Sequence, residues 1–500
     1  MLNINSIHPV NDNSLPPEND SEIVIGLVGA IGTNLELIKQ QIRDILFAFN
    51  YNYEEIRISS DIISTLRELP DTRNNYDKIS NLMTEGNNLR ELSENNAVLS
   101  LAVAAKISAG REKAENLPIP SPRKAYLIHS LKHPDEVNTL RQIYTNGFYL
   151  IGVYTDEKRR LDYLINNKQI SAENAHNLVL RDSEEDDKWG QHTRDTYELS
   201  DFFINYDGNN DKVNNDLWRV FDLIFGNPYV TPTFDEYAMF MAFSASLRSA
   251  DLSRQVGAVL TKNKNIISTG ANDVPNFGGG LYWPEYENNI IQDSEMGRDF
   301  KVGKDSNVKE KETIIQDILK DVPDELKELF RKHIENSKIK YITEYGRVVH
   351  AEMEAILACA RSNINTQDGV LYCTTFPCHN CAKHIIASGI KKVFYIEPYP
   401  KSKAFDFHPD SISTPDNDQK ENRVIFEPFV GVGPRCFFNL FSINLGTGYK
   451  VKRKDKNGDI IQWQRGHGKI RMQMLPSSYI DREIRSADIL NNLIEKIKNV

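Results

Sequence analysis

The first half of the chain alternates short apolar runs with amphipathic segments, which predicts strands and helices in turn. Residues 22–28 (EIVIGLV) are almost entirely apolar, a glycine-bearing turn follows at 29–33, and Leu35, Ile38 and Ile42 then recur at helical spacing. Further strand candidates lie at 125–130, 148–154 and 202–205, and helix candidates at 134–144, 156–164, 172–180 and 214–225. Strands that alternate with helices predict a parallel sheet.

The hydrophobic pattern changes after the Gly-Asn-Pro turn at 226–228, so we place a domain boundary at 226–232. Beyond it, the pattern predicts helices at 233–250, from His350 and from Cys378 to 387, and strands at 256–261, 266–270, 370–374, 392–397 and 424–426. A charged insertion at 276–345, with helix candidates at 310–319 and 324–335, interrupts this core and is either a pocket lid or an oligomer contact. A hairpin near 456–458 and a helix at 486–498 complete the chain.

Composition narrows the class of protein. The 500 residues suggest two or three domains, and a hydrophobic content of 40% is enough for ordinary cores. Residues 1–20, rich in Asn, Pro, Asp and Ser, are expected to form a disordered leader and lack the pattern of a signal peptide, so we expect a cytoplasmic protein. The net charge of −10 argues against a broad polynucleotide-binding surface and favours small substrates.

Two short motifs carry the chemistry. The tripeptide HAE at 350–352 precedes the segment PCHNC at 377–381. His350, Cys378 and Cys381 supply three ligands for Zn²⁺ and leave a fourth position open, and zinc lowers the pKa of a water bound there. The two cysteines are three positions apart, so both sulfurs can reach one metal at a helix start, where the helix dipole favours thiolates.

Glu352 has a different role from the three ligands. At a helix start beneath the metal, its carboxylate can move a proton from the attacking water to a pyrimidine ring nitrogen and then to the departing ammonia. A redox pair, half of a structural zinc site or a core histidine would explain single parts of the pattern, but not all of them together. Two further cysteines, Cys359 and Cys436, are expected to be buried thiols, with a second structural zinc as the alternative.

These motifs resemble the signature of the zinc deaminases. From 233 to about 440 the chain resembles the deoxycytidylate deaminase family, through SRQVGA at 253–258, TGANDVP at 269–275 and LYCT at 371–374. The resemblance implies that Asn272 contacts the sugar or phosphate of a nucleotide and that Arg254 helps to hold phosphate, as a guanidinium is suited to do. The alternatives are a side chain that stabilises a turn for Asn272 and a solvated surface residue for Arg254.

Three residues beyond the core strands are weaker substrate-binding candidates. Tyr395 offers a ring that could stack on the base, and Lys401 and Lys403 offer charges for additional phosphates. Family members close the substrate pocket in this region, but an ordinary packing or surface role is the alternative for each of the three.

The N-terminal part resembles another family. Residues 22–228 resemble a P-loop kinase domain, and its fusion to a deaminase resembles the bacterial antiphage dCTP deaminases. That resemblance implies conversion of dCTP, and also of dCMP, to uracil nucleotides, a homo-oligomer such as a hexamer, and in some members an inhibitory small RNA. The phosphate loop G-x-x-x-x-G-K-[ST] is degenerate, because counting from Gly29 its last three positions are Asn34, Leu35 and Glu36.

The loop therefore lacks the lysine that neutralises a transferring phosphate, and we do not expect kinase chemistry. Backbone N–H groups near Gly29, Gly32 and Thr33 could still bind an anion, which favours a regulatory nucleotide site over a purely structural domain.

The sequence thus predicts an α/β protein with a disordered leader (1–20), a degenerate P-loop kinase-like parallel-sheet domain (21–228) and a cytidine-deaminase-like α/β/α domain (229–500) that uses Zn²⁺. The predicted activity is hydrolytic deamination of deoxycytidine nucleotides, which would deplete DNA precursors during phage infection. Two alternatives are a deaminase acting on cytosine in single-stranded DNA or RNA, and a nucleotide sensor without catalysis.

Overall fold

A computed structural model describes residues 20–72, 74–114, 117–183, 185, 188–342, 344–397, 402–415, 422–444, 446 and 448–498. The predicted leader therefore lies outside the described residues, apart from Asp20. Among the described residues, no helix combines the length and the apolar content that crossing a membrane requires.

The elements follow one another in the α/β order that the sequence predicts. The strands are β1 (Ile23–Gly29), β2 (Asn52–Arg57), β3 (Lys113–Ala114), β4 (Leu117–Pro118), β5 (Lys124–His129), β6 (Phe148–Tyr154), β7 (Phe202–Asn205), β8 (Gly257–Lys262), β9 (Asn265–Ala271), β10 (Glu285–Glu287), β11 (Ile290–Gln292), β12 (Val370–Thr375), β13 (Lys392–Glu397), β14 (Ile412–Ser413), β15 (Val424–Pro428) and β16 (Gly431–Val432). The helices are α1 (Leu35–Ala48), α2 (Ser64–Leu66), α3 (Asn75–Ser93), α4 (Val98–Ala109), α5 (Pro134–Tyr144), α6 (Glu157–Asp162), α7 (Ala172–Ser183), α8 (Thr193–Glu198), α9 (Asn210–Ile224), α10 (Phe234–Ser246), α11 (Asp299–Val302), α12 (Ser306–Leu319), α13 (Asp324–Glu335), α14 (Ala351–Arg361), α15 (His379–Ala387), α16 (Ala404–Phe407), α17 (Pro434–Phe441) and α18 (Pro476–Lys498).

The chain folds into two compact units. The N-terminal unit comprises Met1–Thr231 together with Arg435–Val500, and the second unit comprises Pro232–Pro434. The boundary near 231 agrees with the change in hydrophobic pattern. The C-terminal segment differs from the domain 229–500 that we expected, because α18 packs on α4 and belongs to the N-terminal unit.

In the N-terminal unit, five parallel strands lie in the order β7-β6-β1-β5-β2. Every residue of β1 is buried, as expected for the central strand of a sheet covered on both faces. The glycine loop therefore begins at the carboxyl end of the central strand, where ligands bind in parallel sheets.

The sequence analysis missed several elements of this unit, among them β2, α3, α4 and α8. Strand β2 lies at the edge of the sheet and has the polar sequence NYEEIR, which shows no apolar run. Helix α4 is buried around most of its circumference, so its apolar residues show no amphipathic period.

A buried ion cluster joins α18 to the sheet of the same unit. The Arg111 guanidinium donates from Nε and Nη2 to the two carboxylate oxygens of Glu483, at 2.7 Å each, and from Nη1 to Glu22 at 2.5 Å. All three side chains are 0% exposed. Burial removes water that would screen these charges, so each charge depends on the others.

Replacing Glu483 with alanine is expected to destabilise the N-terminal unit by about 3–5 kcal/mol, because the variant leaves a buried guanidinium short of a partner. Chemical denaturation followed by circular dichroism measures the change. The matched control is Arg485→Ala on the same helix, which removes an exposed pair with Asp481 and should change stability by less than about 1 kcal/mol. Equal effects of the two changes would contradict a structural role for the cluster.

The second unit contains a mixed sheet with strand order β14-β15-β13-β12-β8-β9. The hairpin β8-β9 turns at Asn263 and Lys264, which both have positive φ, and β8 pairs antiparallel with β12. Strands β12, β13, β15 and β14 then run parallel. In the charged insertion, the predicted helices are confirmed as α12 and α13, preceded by the hairpin β10-β11 and the short helix α11.

Two glycines set how closely helices approach this sheet. A Cβ on Gly257 would lie 1.9 Å from the Ala242 carbonyl oxygen of α10, and one on Gly270 would lie 2.1 Å from the Ala351 carbonyl oxygen of α14. No larger residue fits at either position without moving a helix. The position of α14, whose first turn follows His350, is therefore determined by its contact with β9.

Candidate active site

Two helix starts bring three metal-binding side chains together. His350 is the N-cap residue of α14, Cys378 is the N-cap residue of α15, and Cys381 lies in the first turn of α15. The His350 Nδ1 atom lies 3.3 Å from the Cys381 Sγ atom and 3.4 Å from the Cys378 Sγ atom. All three donor atoms lie within 4.8 Å of one another.

The donor set fits zinc. Tetrahedral Zn²⁺ with bonds of about 2.0–2.3 Å keeps its nitrogen and sulfur ligands roughly 3.5–3.8 Å apart, close to the distances observed. Hydrogen bonds from Cys381 and His350 lower the pKa of Cys378 to about 4, so this side chain is a thiolate at neutral pH. Within the described part of the chain, this is the one cluster of three or more side chains able to hold a metal ion.

Two of the other three cysteines, Cys359 and Cys436, occupy apolar or backbone-bonded positions. Cys359 is 0% exposed in the core of the second unit, and the buried Cys436 thiol donates to the Asp201 carbonyl oxygen in the N-terminal unit. Both are buried thiols, as expected.

Glu352 lies in the first turn of α14, two residues after the candidate metal ligand His350, and is 4% exposed. Burial, together with the negative charge of Cys378, raises the pKa of Glu352 above its ordinary value. A carboxylate with a raised pKa holds a proton more readily at neutral pH, which a proton shuttle requires.

A cavity of about 200 Å³ lies beside His350, Cys378 and Glu352. Besides His350, Glu352 and Cys378, its lining includes Asp251, Ser253, Arg254, Val256, Asn272, Asp299, Asp305, Asn307, Gly346, Val348, Ala351, Thr375 and Phe376. The cavity therefore combines a group of side chains able to hold a metal ion, a buried carboxyl group and a polar wall, which is the arrangement that hydrolysis of a small polar molecule needs.

The charged insertion contributes part of this wall. Asp299, Asp305 and Asn307 line the cavity, and Arg347 holds the insertion in place by donating to Asp299 at 3.0 Å. These positions favour a pocket-closing role for the insertion. The sequence analysis missed all three residues; Asp305 caps α12 and was recognisable as a helix start, but nothing in the sequence linked that helix to the metal site.

Asn272 and Arg254, the two main substrate-binding candidates, both line the cavity. The Asn272 side chain accepts a hydrogen bond from the Val256 backbone at 2.6 Å and donates to the Arg254 carbonyl oxygen at 2.8 Å, so it also supports the loop before β8. The Arg254 guanidinium is half exposed and donates to Glu397 at 2.6 Å. Arg254 thus lies at the rim of the cavity, where a charged group of a ligand could reach it.

Of the other three candidates, Tyr395 and Lys403 do not line the cavity. Tyr395 is 8% exposed and packs edge to face behind Phe376, with ring centroids 4.8 Å apart, so Phe376 and not Tyr395 presents an aromatic ring to the cavity. Lys403 is exposed and pairs with Asp406 at 2.8 Å. Lys401 lies outside the described residues. Aromatic character alone does not tell which ring lines a pocket, and the stacking role of Tyr395 stays a prediction.

In the N-terminal unit, Gly29, Gly32 and Thr33 lie together in the loop between β1 and α1, as the sequence predicts. Gly32 has a φ of +85°, and a Cβ there would lie 2.5 Å from the Arg160 carbonyl oxygen, so only glycine fits. The Ile31 backbone N–H donates to the Asp182 carboxylate at 2.8 Å. The loop therefore does bind an anion, but that anion is a side chain of the same chain.

Replacing Gly270 with alanine is expected to lower the rate of the reaction at this site about 10-fold or more, since displacing α14 moves His350 and Glu352, and 1 Å of misplacement is costly in catalysis. Overpacking should also cost about 1–3 kcal/mol of stability. Steady-state kinetics and thermal unfolding measure both effects. Gly110→Ala is the control, since a Cβ there meets nothing closer than 3.6 Å; wild-type kinetics in the Gly270 variant would contradict the account of α14.

Comparison with known proteins identifies a family profile and a relative that the chain matches. The profile of the cytidine and deoxycytidylate deaminase zinc-binding region matches residues 232–397. The deoxycytidylate deaminase of Enterobacteria phage T2 is 34% identical over 164 residues, which are 33% of this chain and 79% of that protein. The match covers most of the relative, and the residues that match the profile include His350, Glu352, Cys378 and Cys381.

Two solved structures resemble parts of the chain. The dCMP deaminase of cyanophage S-TIM5, in complex with dCMP and dUMP, is 21% identical with a TM-score of 0.23, and the match covers 40% of this chain and 100% of that one. A gluconokinase from Sinorhizobium meliloti 1021 is 11% identical with a TM-score of 0.23, and that match covers 39% of this chain and 89% of the kinase.

Proposed function

Because the chain belongs to the deoxycytidylate deaminase family, we propose that it removes the amino group from the cytosine ring of deoxycytidine nucleotides, dCMP and dCTP. The products are the deoxyuridine nucleotide and ammonia. The observation that carries the proposal is the group of His350, Cys378 and Cys381 at one cavity with the buried carboxyl group of Glu352.

The chain's own residues account for the proton transfers. His350, Cys378 and Cys381 would hold zinc, which when bound lowers the pKa of a water towards neutrality. Glu352 takes one proton from the attacking water and delivers it to ring N3. It then carries the second proton of that water to the amino group, which leaves as ammonia, so Glu352 returns to its starting state.

The charges around the cavity support a small substrate over a nucleic acid strand. Asp251, Asp299 and Asp305 line it, and their carboxylates oppose a phosphate backbone laid across the opening. Arg254 offers a guanidinium at the rim. A single nucleotide can place its phosphates beside Arg254 and keep its base inside, whereas a strand must continue past the carboxylates.

Replacing Arg254 with glutamine tests where the phosphates bind. We expect the KM for dCMP and dCTP to rise about 10- to 100-fold, as for the loss of a hydrogen bond to a charged group, while the KM for deoxycytidine stays unchanged. The control is Lys403→Gln, which removes an exposed charge outside the cavity. An equal rise for deoxycytidine would assign Arg254 to the loop structure and not to phosphate binding.

The biological role belongs to the same proposal. Conversion of dCTP to dUTP in the cytoplasm would deplete a DNA precursor and serve as antiphage defence, with the enzyme as a homo-oligomer, the N-terminal unit as its regulatory domain and an inhibitory small RNA as its partner. The two-unit organisation, a parallel-sheet unit with a degenerate phosphate loop beside a deaminase unit, supports it. Nucleotide pools and plaque counts in cells with wild-type and Glu352→Ala protein test it; equal pools in infected cells would contradict it.

A further inference from the structure

The N-terminal unit contains a cavity of about 270 Å³ that the deaminase reaction does not use. The glycine loop after β1 forms one end, and helix α3 forms a side through Leu82, Met83 and Gly86. The cavity lies at the carboxyl end of a parallel sheet, the usual place for ligands in this architecture. The side chains that line the cavity determine which kind of ligand it can bind.

The position that a phosphate would take at the loop is already filled. The Asp182 carboxylate accepts from the Ile31 N–H at 2.8 Å, from Lys132 Nζ at 2.8 Å and from the Thr193 hydroxyl at 3.2 Å. Asp182 is 2% exposed. Lys132 also donates to the Gly29 carbonyl oxygen at 2.9 Å. A phosphate entering here would meet a fixed negative charge in the place of its own.

The remaining charges of the cavity add no site for a phosphate. Arg90 and Glu136 form a buried pair at 2.8 Å, and Lys168 Nζ lies over the Tyr163 ring. Burial lowers the pKa of His129 to about 4, so its ring is neutral at pH 7. Arg90 and Lys168 are thus each engaged with another group of the chain, and the His129 ring carries no charge.

The rest of the lining is suited to an uncharged ring. Aliphatic side chains form most of the wall, namely Ile58, Ile63, Ile79, Leu82, Leu99 and Leu164. Thr33 and Gln191, which are 8% and 9% exposed, also line the cavity. Among the described residues, neither the Thr33 hydroxyl nor the Gln191 side-chain oxygen has a hydrogen-bond partner. A ligand with hydrogen-bond donors and acceptors could pair with these two polar atoms, while its apolar part packs against the aliphatic side chains.

The volume of the cavity also favours a small, uncharged ligand. A volume of about 270 Å³ lies just below the range of roughly 300–1,000 Å³ usual for drug-sized ligands, so it holds a base with its sugar but not an additional triphosphate. We propose that this cavity binds an unphosphorylated nucleoside, with its base against the aliphatic wall, and that Asp182 excludes nucleotides by occupying the phosphate position. The site is separate from the metal centre, and its ligand differs from the anion that the loop sequence suggested.

Gly86 offers a change that fills the cavity without straining the backbone. It lies inside helix α3, and a Cβ there would meet Ile63 Cδ1 at 3.5 Å and Arg90 Nη1 at 3.9 Å, which is ordinary contact. Gly86→Ala therefore fits and serves as the matched control. Gly86→Leu extends further into the cavity and also replaces a poor helix former with a good one, so we expect it to fold.

The test is isothermal titration calorimetry of the full-length, zinc-loaded protein with thymidine, adenosine and guanosine, and with ATP and dTTP. We expect at least one nucleoside to bind wild type and Gly86→Ala alike, and to bind Gly86→Leu at least 10-fold more weakly. If none of the three nucleosides binds with a Kd below 1 mM, or if Gly86→Leu binds as wild type does, the proposal is overturned.

Asp182→Ala provides a second readout that does not depend on the Gly86 variants. Removing the carboxylate frees Lys132 and the Ile31 N–H, so pyrophosphate should bind this variant at least 10-fold more tightly than wild type. Tight binding of pyrophosphate or ATP to wild type would show that Asp182 does not exclude phosphates and would overturn the proposal. Neither experiment measures deamination, so their failure is distinct from failure of the proposed function.

Discussion

Replacing Glu352 with glutamine is expected to lower kcat for deamination by at least about 10²–10⁴-fold, the usual contribution of a positioned acid–base group. The amide has nearly the shape of the carboxylate but cannot accept a proton from water and return it. Because Glu352 is not a metal ligand, the variant should keep its zinc and its thermal stability. Steady-state kinetics with dCMP, together with metal analysis by mass spectrometry, measure these quantities.

Helix α14 provides a matched control for this change. Glu354 lies two residues after Glu352 and is also buried. It pairs with Arg361 at 2.5 Å, away from the metal site. Glu354→Gln therefore removes a carboxylate from the same helix without touching the proton path, and its kcat should stay within about 10-fold of wild type. Equal losses in both variants would mean that Glu352 acts through folding and not as the proton carrier.

Replacing Cys381 with serine is expected to abolish both zinc binding and activity. The Cys381 sulfur is 0% exposed and completes the three-ligand set, and a hydroxyl is a far poorer zinc ligand than a thiolate. Wild type should contain about one zinc ion per chain, and the variant should contain little. Because metal binding contributes to folding, the thermal midpoint of the variant should also fall.

Cys359→Ala is the control for the loss of a buried sulfur. Cys359 lies in α14 itself, is equally buried in the core of the second unit, and does not belong to the metal-binding cluster. Its replacement should cost some stability but leave the zinc content near one ion per chain. If Cys381→Ser kept its zinc and its activity, the ligand assignment would be wrong.

The sequence predicts the metal site well because its parts are local. HAE and PCHNC each lie at a helix start, and the spacing within each motif places the side chains of that motif, while the contact of α14 with β9 fixes where the first motif lies. The apolar runs of β1, β5 and β6 likewise identify the strands of the N-terminal sheet, since strands buried on both faces are continuous in hydrophobicity.

Contacts between distant segments are what the sequence could not predict. Asp299, Asp305 and Asn307 reach the active-site cavity from an insertion, Phe376 lies in front of Tyr395, and Asp182 fills the glycine loop from a helix about 150 residues away. The helix α18 belongs to the N-terminal unit for the same reason, because its partner Arg111 is 372 positions from Glu483. No local pattern encodes such pairings.

The most direct test of the proposed activity is uracil formation by the purified, zinc-loaded protein on dCTP, dCMP, CTP and a cytosine-containing single-stranded DNA, with Glu352→Ala alongside. We predict that the free deoxynucleotides react, that the single strand does not, and that the variant is inactive on all four. Reaction of the single strand alone, or undiminished activity in the Glu352→Ala variant, would contradict the account.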